Sequence, residues 1–345
     1  MTTFKKAELT ERFNFVKNVI SKNSTIPSLT MMHISILGNK YKITGCNGEM
    51  QVTAHGECDG SDHIECCADP STFGVMLSSA KQNINMTMKD AKLSTISGSS
   101  KFNIKTIETD LYPMLSMTGN TNNVNLRELI SGVNKASSIK DVRPGLTGTC
   151  IHADGKMLHA VATDGSMIMR NQIDSDIDEF DIILPPQSAE YLSQIDTYGF
   201  YVDRGSLKAE CKTKGIEIIT KLIDAKFPDY QRLITDYANK FTVNRQDLID
   251  KIASMSKIDS VKEKGVTIQS GVDKLKISVA DIASDEIDFS GDKFLANFQP
   301  SYLLTALNFI DSESITIEFN NDFYIQGKQD GKLFLVLNQT QRFIL

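Results

Sequence analysis

An α+β chain made of three tandem repeats, each with two helices and antiparallel strands, is what this sequence predicts. Three recurring markers carry that reading. Short helical segments open at Pro70, Pro186 and Pro300, spaced 116 and 114 residues apart. Alternating strands end at the polar turn residues Asn47, Asp164 and Asp281, 117 residues apart at both steps. The stretches 84–107, 200–223 and 315–337 each read strand, turn, strand, turn, strand. Chance resemblance among α+β segments does not reproduce several independent markers in the same order at nearly the same spacing.

Taken in order, each repeat opens with an amphipathic helix, at 7–23, 123–140 and 245–262. Phe15, Val16 and Val19 match Leu129, Ile130 and Val133, then Leu248, Ile249 and Ile252; the i, i+1, i+4 pattern is one buried helix stripe. A hairpin follows, turning at Gly38-Asn39, at Asp154-Gly155 and near Gly271, because such residues between alternating runs favour tight turns. The second helices, 70–82, 186–195 and 300–311, begin at the prolines, whose missing N–H costs nothing in a first helical turn. The three closing strands turn near Asp90, Asp203-Arg204-Gly205 and Asn320-Asn321, then near Gly98, Lys214-Gly215 and Asp330-Gly331. These repeats place domains at 1–120, 121–241 and 242–345, with polar joints at Gly119–Asn123 and Tyr237–Lys240. Modules of like shape joined in series imply a curved or closed assembly with one repeated interface.

The 345 residues suffice for two or three domains at roughly 100–200 residues each. Hydrophobic residues make up 41% and charged residues 23%, values of an ordinary globular chain. No apolar run reaches the roughly 18 residues that would cross a bilayer, so no membrane partner is expected. Met1–Lys6 lacks an apolar signal core, and a cytoplasmic location is the expectation. The net charge of −6 excludes a protein that grips nucleic acid by overall basicity. Its distribution is more informative. The six helical spans hold 11 bases and 8 acids, a sum of +3 against −9 for the rest. Helices gathered on one side would make that side attractive to a polyanion, through counterion release and without base readout.

No catalytic, cofactor or metal site is predicted. Cys58, His63, Cys66 and Cys67 follow a C-x4-H-x2-C-C spacing that fits no usual zinc site, and reduced thiols on strands are the reading for all six cysteines. His152 and His159 flank a turn, as cross-strand neighbours do. P-loop, dinucleotide-binding, nucleophile-elbow and zincin motifs are absent. A three-domain enzyme with a site assembled from scattered residues such as Cys150, His152 and Asp164 stays open as a competitor.

The sequence resembles the bacterial sliding clamp family, the beta subunit of DNA polymerase III. Ala160-Val-Ala-Thr-Asp-Gly165 and Lys226-Phe-Pro-Asp-Tyr230 carry the resemblance, supported by Ser24-Thr-Ile-Pro-Ser-Leu29 and by Lys140-Asp-Val-Arg143 ahead of Leu146. It implies three clamp-like domains, each with two helices on an inner face and antiparallel sheets outside. Two chains would close head to tail into a ring around duplex DNA, bound without sequence preference, that tethers the replicative polymerase.

By the same resemblance Lys17, Lys22, Lys81, Arg127, Lys135, Lys140, Arg143 and Lys251 face DNA. Leu146, Thr163, Gly165, Ile168, Pro228, Arg232, Leu233 and Leu337 form a pocket for a short peptide with a leucine–phenylalanine end, through which polymerase and clamp loader bind. Phe102 and Ile104 on one edge, with Ile258 on another, form the homodimer seam. Two departures bear on the pocket. Ser166-Met167-Ile168 stands where the family usually has His-Arg-Leu, and the ending Leu337–Leu345 replaces Met-Pro-Met-Arg-Leu; Phe343-Ile344-Leu345 could then fold into the pocket and compete with partners. A clamp-like protein-binding scaffold that does not encircle DNA is the alternative.

Overall fold

The computed structural model describes all residues except 139, 198, 259–260, 262–264, 321–323 and 340–345. In chain order the first stretch holds β1 (Thr2–Phe4), α1 (Lys6–Lys17), β2 (Met32–Leu37), β3 (Lys40–Cys46), β4 (Met50–Glu57), β5 (His63–Ala68), α2 (Pro70–Ser79), β6 (Ile84–Lys89), β7 (Lys92–Ser97) and β8 (Ser100–Ile107). Next come α3 (Leu126–Ile130), α4 (Pro144–Thr147), β9 (Thr149–Ala153), β10 (Met157–Thr163), β11 (Met167–Asp174), β12 (Phe180–Leu184), α5 (Pro186–Leu192), β13 (Phe200–Asp203), β14 (Ser206–Cys211) and β15 (Ile216–Lys221). The last stretch holds β16 (Asn239–Asn244), α6 (Arg245–Met255), β17 (Val266–Ser270), β18 (Lys274–Val279), β19 (Ala283–Gly291), β20 (Leu295–Phe298), α7 (Pro300–Phe309), β21 (Ser314–Asn320), β22 (Tyr324–Gln329) and β23 (Lys332–Leu337).

The described chain falls into two compact units, Met1–Leu126 with Ile195–Lys221, and Arg127–Gln194 with Leu222–Leu345. Their limits differ from the repeat boundaries because strands of successive repeats join one sheet. In the first unit an 11-stranded sheet runs β1-β6-β7-β8-β5-β2-β3-β4-β15-β14-β13. In the second a 12-stranded sheet runs β12-β9-β10-β11-β23-β22-β21-β16-β19-β18-β17-β20. Every strand pairing among the described residues is antiparallel, as the hairpin-rich sequence requires.

The turn markers have a structural cause. Asn47 Oδ1 accepts from the backbone N–H groups of Glu49 and Met50. Asp164 Oδ1 does the same for Ser166 and Met167, and Asp154 Oδ1 for Lys156 and Met157. At these three turns a short polar side chain stands in for a backbone acceptor, whereas the turn at Asp281 is closed by Ile282 N donating to the Val279 carbonyl. The proline helices start where expected, and Asp69 caps α2 by accepting from Thr72 N at 2.7 Å.

The opening helices differ from expectation. α1 stops at Lys17, well short of residue 23. The helix expected at 123–140 is α3 plus a 3-10 turn at Val133–Ala136, broken at Gly132. Gly132 has φ +85°, and a Cβ there would lie 2.7 Å from the Phe309 ring, so the break lets α7 pack against this segment. α6 ends at Met255, and the last part of the span expected to 262 lies largely outside the described residues. Two strands escaped the sequence reading: β1 and β16 precede the opening helices of the first and third repeats. Each is short or polar at one end, and its pairing partner lies far along the chain.

α1 rides close on its sheet: a Cβ at Gly45 in β3 would meet the Val16 carbonyl at 2.7 Å. Leu9, Phe13 and Val16 are the buried face of that helix. In the second unit Phe241 is buried among Phe289, Phe294 and Phe319, with ring centroids 5.8, 5.1 and 6.0 Å away. No helix among the described residues is long and apolar enough to cross a membrane. Phe241→Ala should cost about 3–5 kcal/mol of stability, the range for truncating a buried aromatic, read as a lowered midpoint in denaturant unfolding.

Candidate functional site

In the first unit a groove of about 690 Å³ runs between α1 and α2, lined among others by Phe13, Lys17, Ser21, Lys22, Ser71 and Val75. Lys17, Lys22 and Lys81 are exposed and make no ion pair among the described residues. In the second unit Lys135 and Lys140 are likewise exposed and without an ion pair among the described residues, and Arg127 is exposed on α3. Arg143 is different. Its guanidinium makes a two-pronged contact with Asp141, both prongs at 3.0 Å, which holds the Asp141 carboxyl down to about 2. Lys251 donates to Asp285 of β19 at 2.7 Å. Two of the eight expected phosphate-facing bases therefore already hold a carboxylate.

The wider count of 11 helix bases shrinks further. Arg245 donates to the Ser312 and Leu307 carbonyls at 2.6 and 3.1 Å, satisfying acceptors at the C-terminal end of α7. Arg12 donates to the His55 carbonyl at 2.8 Å. Lys262 lies outside the described residues.

The expected peptide-pocket residues are all in the second unit. Thr163 and Ile168 face each other across the β10–β11 hairpin, and Leu337 N donates to Ser166 O at 3.0 Å. A Cβ on Gly145 would lie 2.6 Å from the Lys226 carbonyl, so Leu146 sits beside the Phe227-Pro228 segment. Ile168 belongs to a buried cluster with Val161, Phe227, Tyr230, Leu333 and Leu335, against which Leu233 packs. Leu146, Thr163, Ile168 and Leu337 are at most 5% exposed. Their side chains are core; of the other expected residues Pro228 and Leu233 are partly exposed and Arg232 is exposed. The tail expected to compete there, Phe343-Ile344-Leu345, lies outside the described residues.

Of the expected seam residues Phe102 is half-buried on β8, and Ile258 half-buried in the turn after α6. Ile104 is fully buried, so its side chain belongs to the core of the first unit, and the seam expectation at that position passes to the β8 backbone. The scattered enzyme trio does not converge. Asp164 closes its turn, while the Cys150 thiol donates to Asp181 Oδ1 at 3.3 Å. Burial, then the Asp181 charge, push that thiol far above the ordinary range, so it is no nucleophile. His152 bonds Tyr230 Oη at 2.9 Å and stacks on His159 with centroids 4.5 Å apart.

Residues 231–236, which carry Arg232 and Leu233, are fastened to β22 by Tyr324, Gln326 and Lys328. The sequence reading missed these three. Their only signal was polar character at alternate positions of one strand, common on any solvated face.

His152 and His159 both titrate below the ordinary histidine range, chiefly because burial disfavours the charged ring. An unfolded chain therefore takes up protons first as pH drops below about 6.5, and the folded state loses stability until pH passes below the depressed native values. The unfolding midpoint should accordingly fall between pH 7.5 and 5.5. His159→Gln should lessen that fall, with His33 and His55, also depressed by burial, retaining the rest.

The sequence profile of the DNA polymerase III beta subunit N-terminal domain matches residues 2–116, and that of the central domain of the same subunit matches 120–229. A beta sliding clamp from Pseudomonas putida is 24% identical over 342 residues, covering 91% of this chain and 92% of its own length. The beta sliding clamp of Streptococcus pneumoniae is 23% identical over 340 residues, covering 90% and 89%. Among solved structures, the Pseudomonas aeruginosa sliding clamp bound to griselimycin superposes with a TM-score of 0.91 at 22% identity, covering 99% of this chain and 100% of that one. The DNA polymerase beta subunit of Streptococcus pyogenes gives 0.90 at 22% identity with the same coverage. With profiles covering about two thirds of its length and the clamp fold throughout, the chain belongs to the DNA polymerase III beta subunit family.

Proposed function

We propose that this chain is a replication processivity clamp rather than an enzyme. Two copies, each of three tandem modules near 1–120, 121–241 and 242–345, close into a ring around duplex DNA and hold a polymerase by a short peptide. Acting on DNA inside a bacterial cell, or a phage-infected one, it would work in the cytoplasm.

One observation carries ring closure. The same antiparallel seam forms twice, β4 with β15 and β11 with β23. β15 and β23 begin at Ile216 and Lys332, and β8 at Ser100, so the three are spaced by 116 residues at each step. β19 occupies the matching place in the turn-marked series of β4 and β11. Yet β8 pairs with β5 only at Thr106 and Ile107, and β19 pairs with β16 only at Phe241–Val243 opposite Phe289–Gly291. Among the described residues both strands thus keep an open edge, the N-terminal part of β8 and the start of β19. An open edge is a template for another chain. The two also differ in charge: Lys101 and Lys105 are exposed on β8, while β19 exposes Glu286, its Asp285 and Asp288 being paired with Lys251 and Lys274. Pairing β8 with β19 of a second copy joins opposite charges; β8 with β8, or β19 with β19, opposes like ones.

Weak contacts suit such a ring. Lys17, Lys22, Lys81, Arg127, Lys135 and Lys140 supply sequence-independent attraction, while topology supplies retention. The tether raises the polymerase's local concentration at the primer end. Pro228, Arg232 and Leu233 offer the apolar and polar contacts for the peptide.

Loaded protein should stay on circular DNA and be lost when the circle is cut; equal loss from both forms would instead favour the non-encircling scaffold. Lys101→Glu with Lys105→Glu should shift the particle from two chains to one at micromolar concentration, measured by mass in solution. Lys17→Ala with Lys22→Ala should flatten the log–log salt dependence of DNA binding by about two, roughly 0.9 for each phosphate contact removed, without changing the mass of the particle.

A further inference from the structure

The segment between β15 and β16 has little regular structure beyond a 3-10 turn at Gln231–Leu233. Its backbone polar groups must therefore find partners outside a ladder or helix. One face of β22 supplies them. Tyr324, Gln326 and Lys328 occupy alternate positions and so project from the same side of the strand. Tyr237 Oη lies 3.1 Å and Tyr324 Oη 3.4 Å from the Leu233 carbonyl, and the two phenols also meet each other; with one proton each they divide two donations among these three contacts. Gln326 Nε2 donates to the Thr235 carbonyl at 2.9 Å and to Glu318 Oε2 at 2.8 Å. Lys328 Nζ donates to Asp236 at 2.8 Å and to Glu318 at 3.2 Å. Three successive side chains thus fasten three points of one strap, at residues 233, 235 and 236.

These fastenings differ in character. Asp236 is almost wholly exposed, so its ion pair with Lys328 is screened and weak. Gln326 is fully buried, and both of its amide hydrogens are committed to acceptors. It is the anchor of the set. The strap carries Arg232 outward and presses Leu233 onto the cluster containing Ile168, Val161 and Leu335. A slip of the strap along β22 would move both side chains relative to Ile168 while leaving the sheet intact.

We propose that Tyr324, Gln326 and Lys328 are positioning residues for partner recognition: by holding the 231–236 strap on β22 they set where Arg232 and Leu233 meet a bound peptide. None of the three need touch the peptide. This rests on the reading of Pro228, Arg232 and Leu233 as the peptide-binding surface.

The test uses the full chain and a synthetic peptide with a Leu-Phe end, with affinity read by fluorescence polarisation and stability by thermal unfolding. Gln326→Glu keeps shape but sets an ionised, acceptor-only carboxylate against the Thr235 carbonyl and the Glu318 carboxylate. Tyr324, Lys328, Asp236 and Tyr237 are the other titratable groups around it. Affinity should fall about tenfold at pH 7.5 and recover at pH 5.5, where the introduced carboxyl, crowded by Glu318, gains a proton and can donate again. Tyr324→Phe and Lys328→Met, which remove single fastenings, should weaken binding about two- to fivefold, and Lys328→Arg should restore it. Equal affinity of wild type and Gln326→Glu at pH 7.5 overturns the proposal. So does a loss of affinity that only tracks unfolding and does not recover at pH 5.5. Failure of the wild-type chain to bind the peptide at all would refute the peptide-surface reading instead.

Discussion

Pairing of strand edges is the constraint on which the rest of this protein depends. A β-strand at the end of a sheet leaves a row of backbone donors and acceptors that must be satisfied by water, cover or another strand. Here β15 is added to β4, and β23 to β11, each at the same place in its repeat. The pairing converts short repeat sheets into sheets of 11 and 12 strands. It also explains why compact units and sequence repeats have different limits: the central repeat gives β13–β15 to one unit and β9–β12 to the other. A seam used twice leaves incompletely paired strands at its two ends, β8 and β19, which the proposed head-to-tail pairing with a second copy would cover.

Electrostatics follow the same division of labour. The exposed lysines near α1 and α2, and those around α3, stand apart from carboxylates, whereas Lys251 and Arg143 are each committed to an acid. A surface that must attract a polyanion without fixing its register benefits from mobile, unpaired ammonium groups. A buried or bidentate pair would hold those charges in place. Arg245 and Arg12 show that a base in a helical span can belong to the fold, capping carbonyls rather than facing a ligand.

In the proposed partner surface the apolar residues are largely core. Ile168 and Leu146 are buried, and Leu233 is partly exposed because the strap lies over the cluster that contains Ile168. Residues 231–236 are irregular, and the side chains that hold them sit on a strand about 90 residues further along the chain. Buried amide donors suit that role, because a misplaced strap would leave them unsatisfied.

The sequence by itself determined the repeat, its turns and its proline-initiated helices. Asn47, Asp154 and Asp164 close their own hairpins, and Pro70, Pro186 and Pro300 start their own helices, through contacts within a few residues. The family resemblance likewise rested on contiguous motifs such as Ala160–Gly165. Only tertiary structure decided what depends on distant partners. Gly132 breaks a helix because Phe309 packs there, and β1 and β16 exist because β6 and β21 pair with them. Ile104 turned out to be core, Lys251 to be spoken for by Asp285, and Tyr324, Gln326 and Lys328 to hold the strap. Local chemistry is written in neighbouring residues. Burial, ion pairing and the fastening of irregular backbone depend on which remote surfaces meet, and one strand's alternation of polar side chains is compatible with many such meetings.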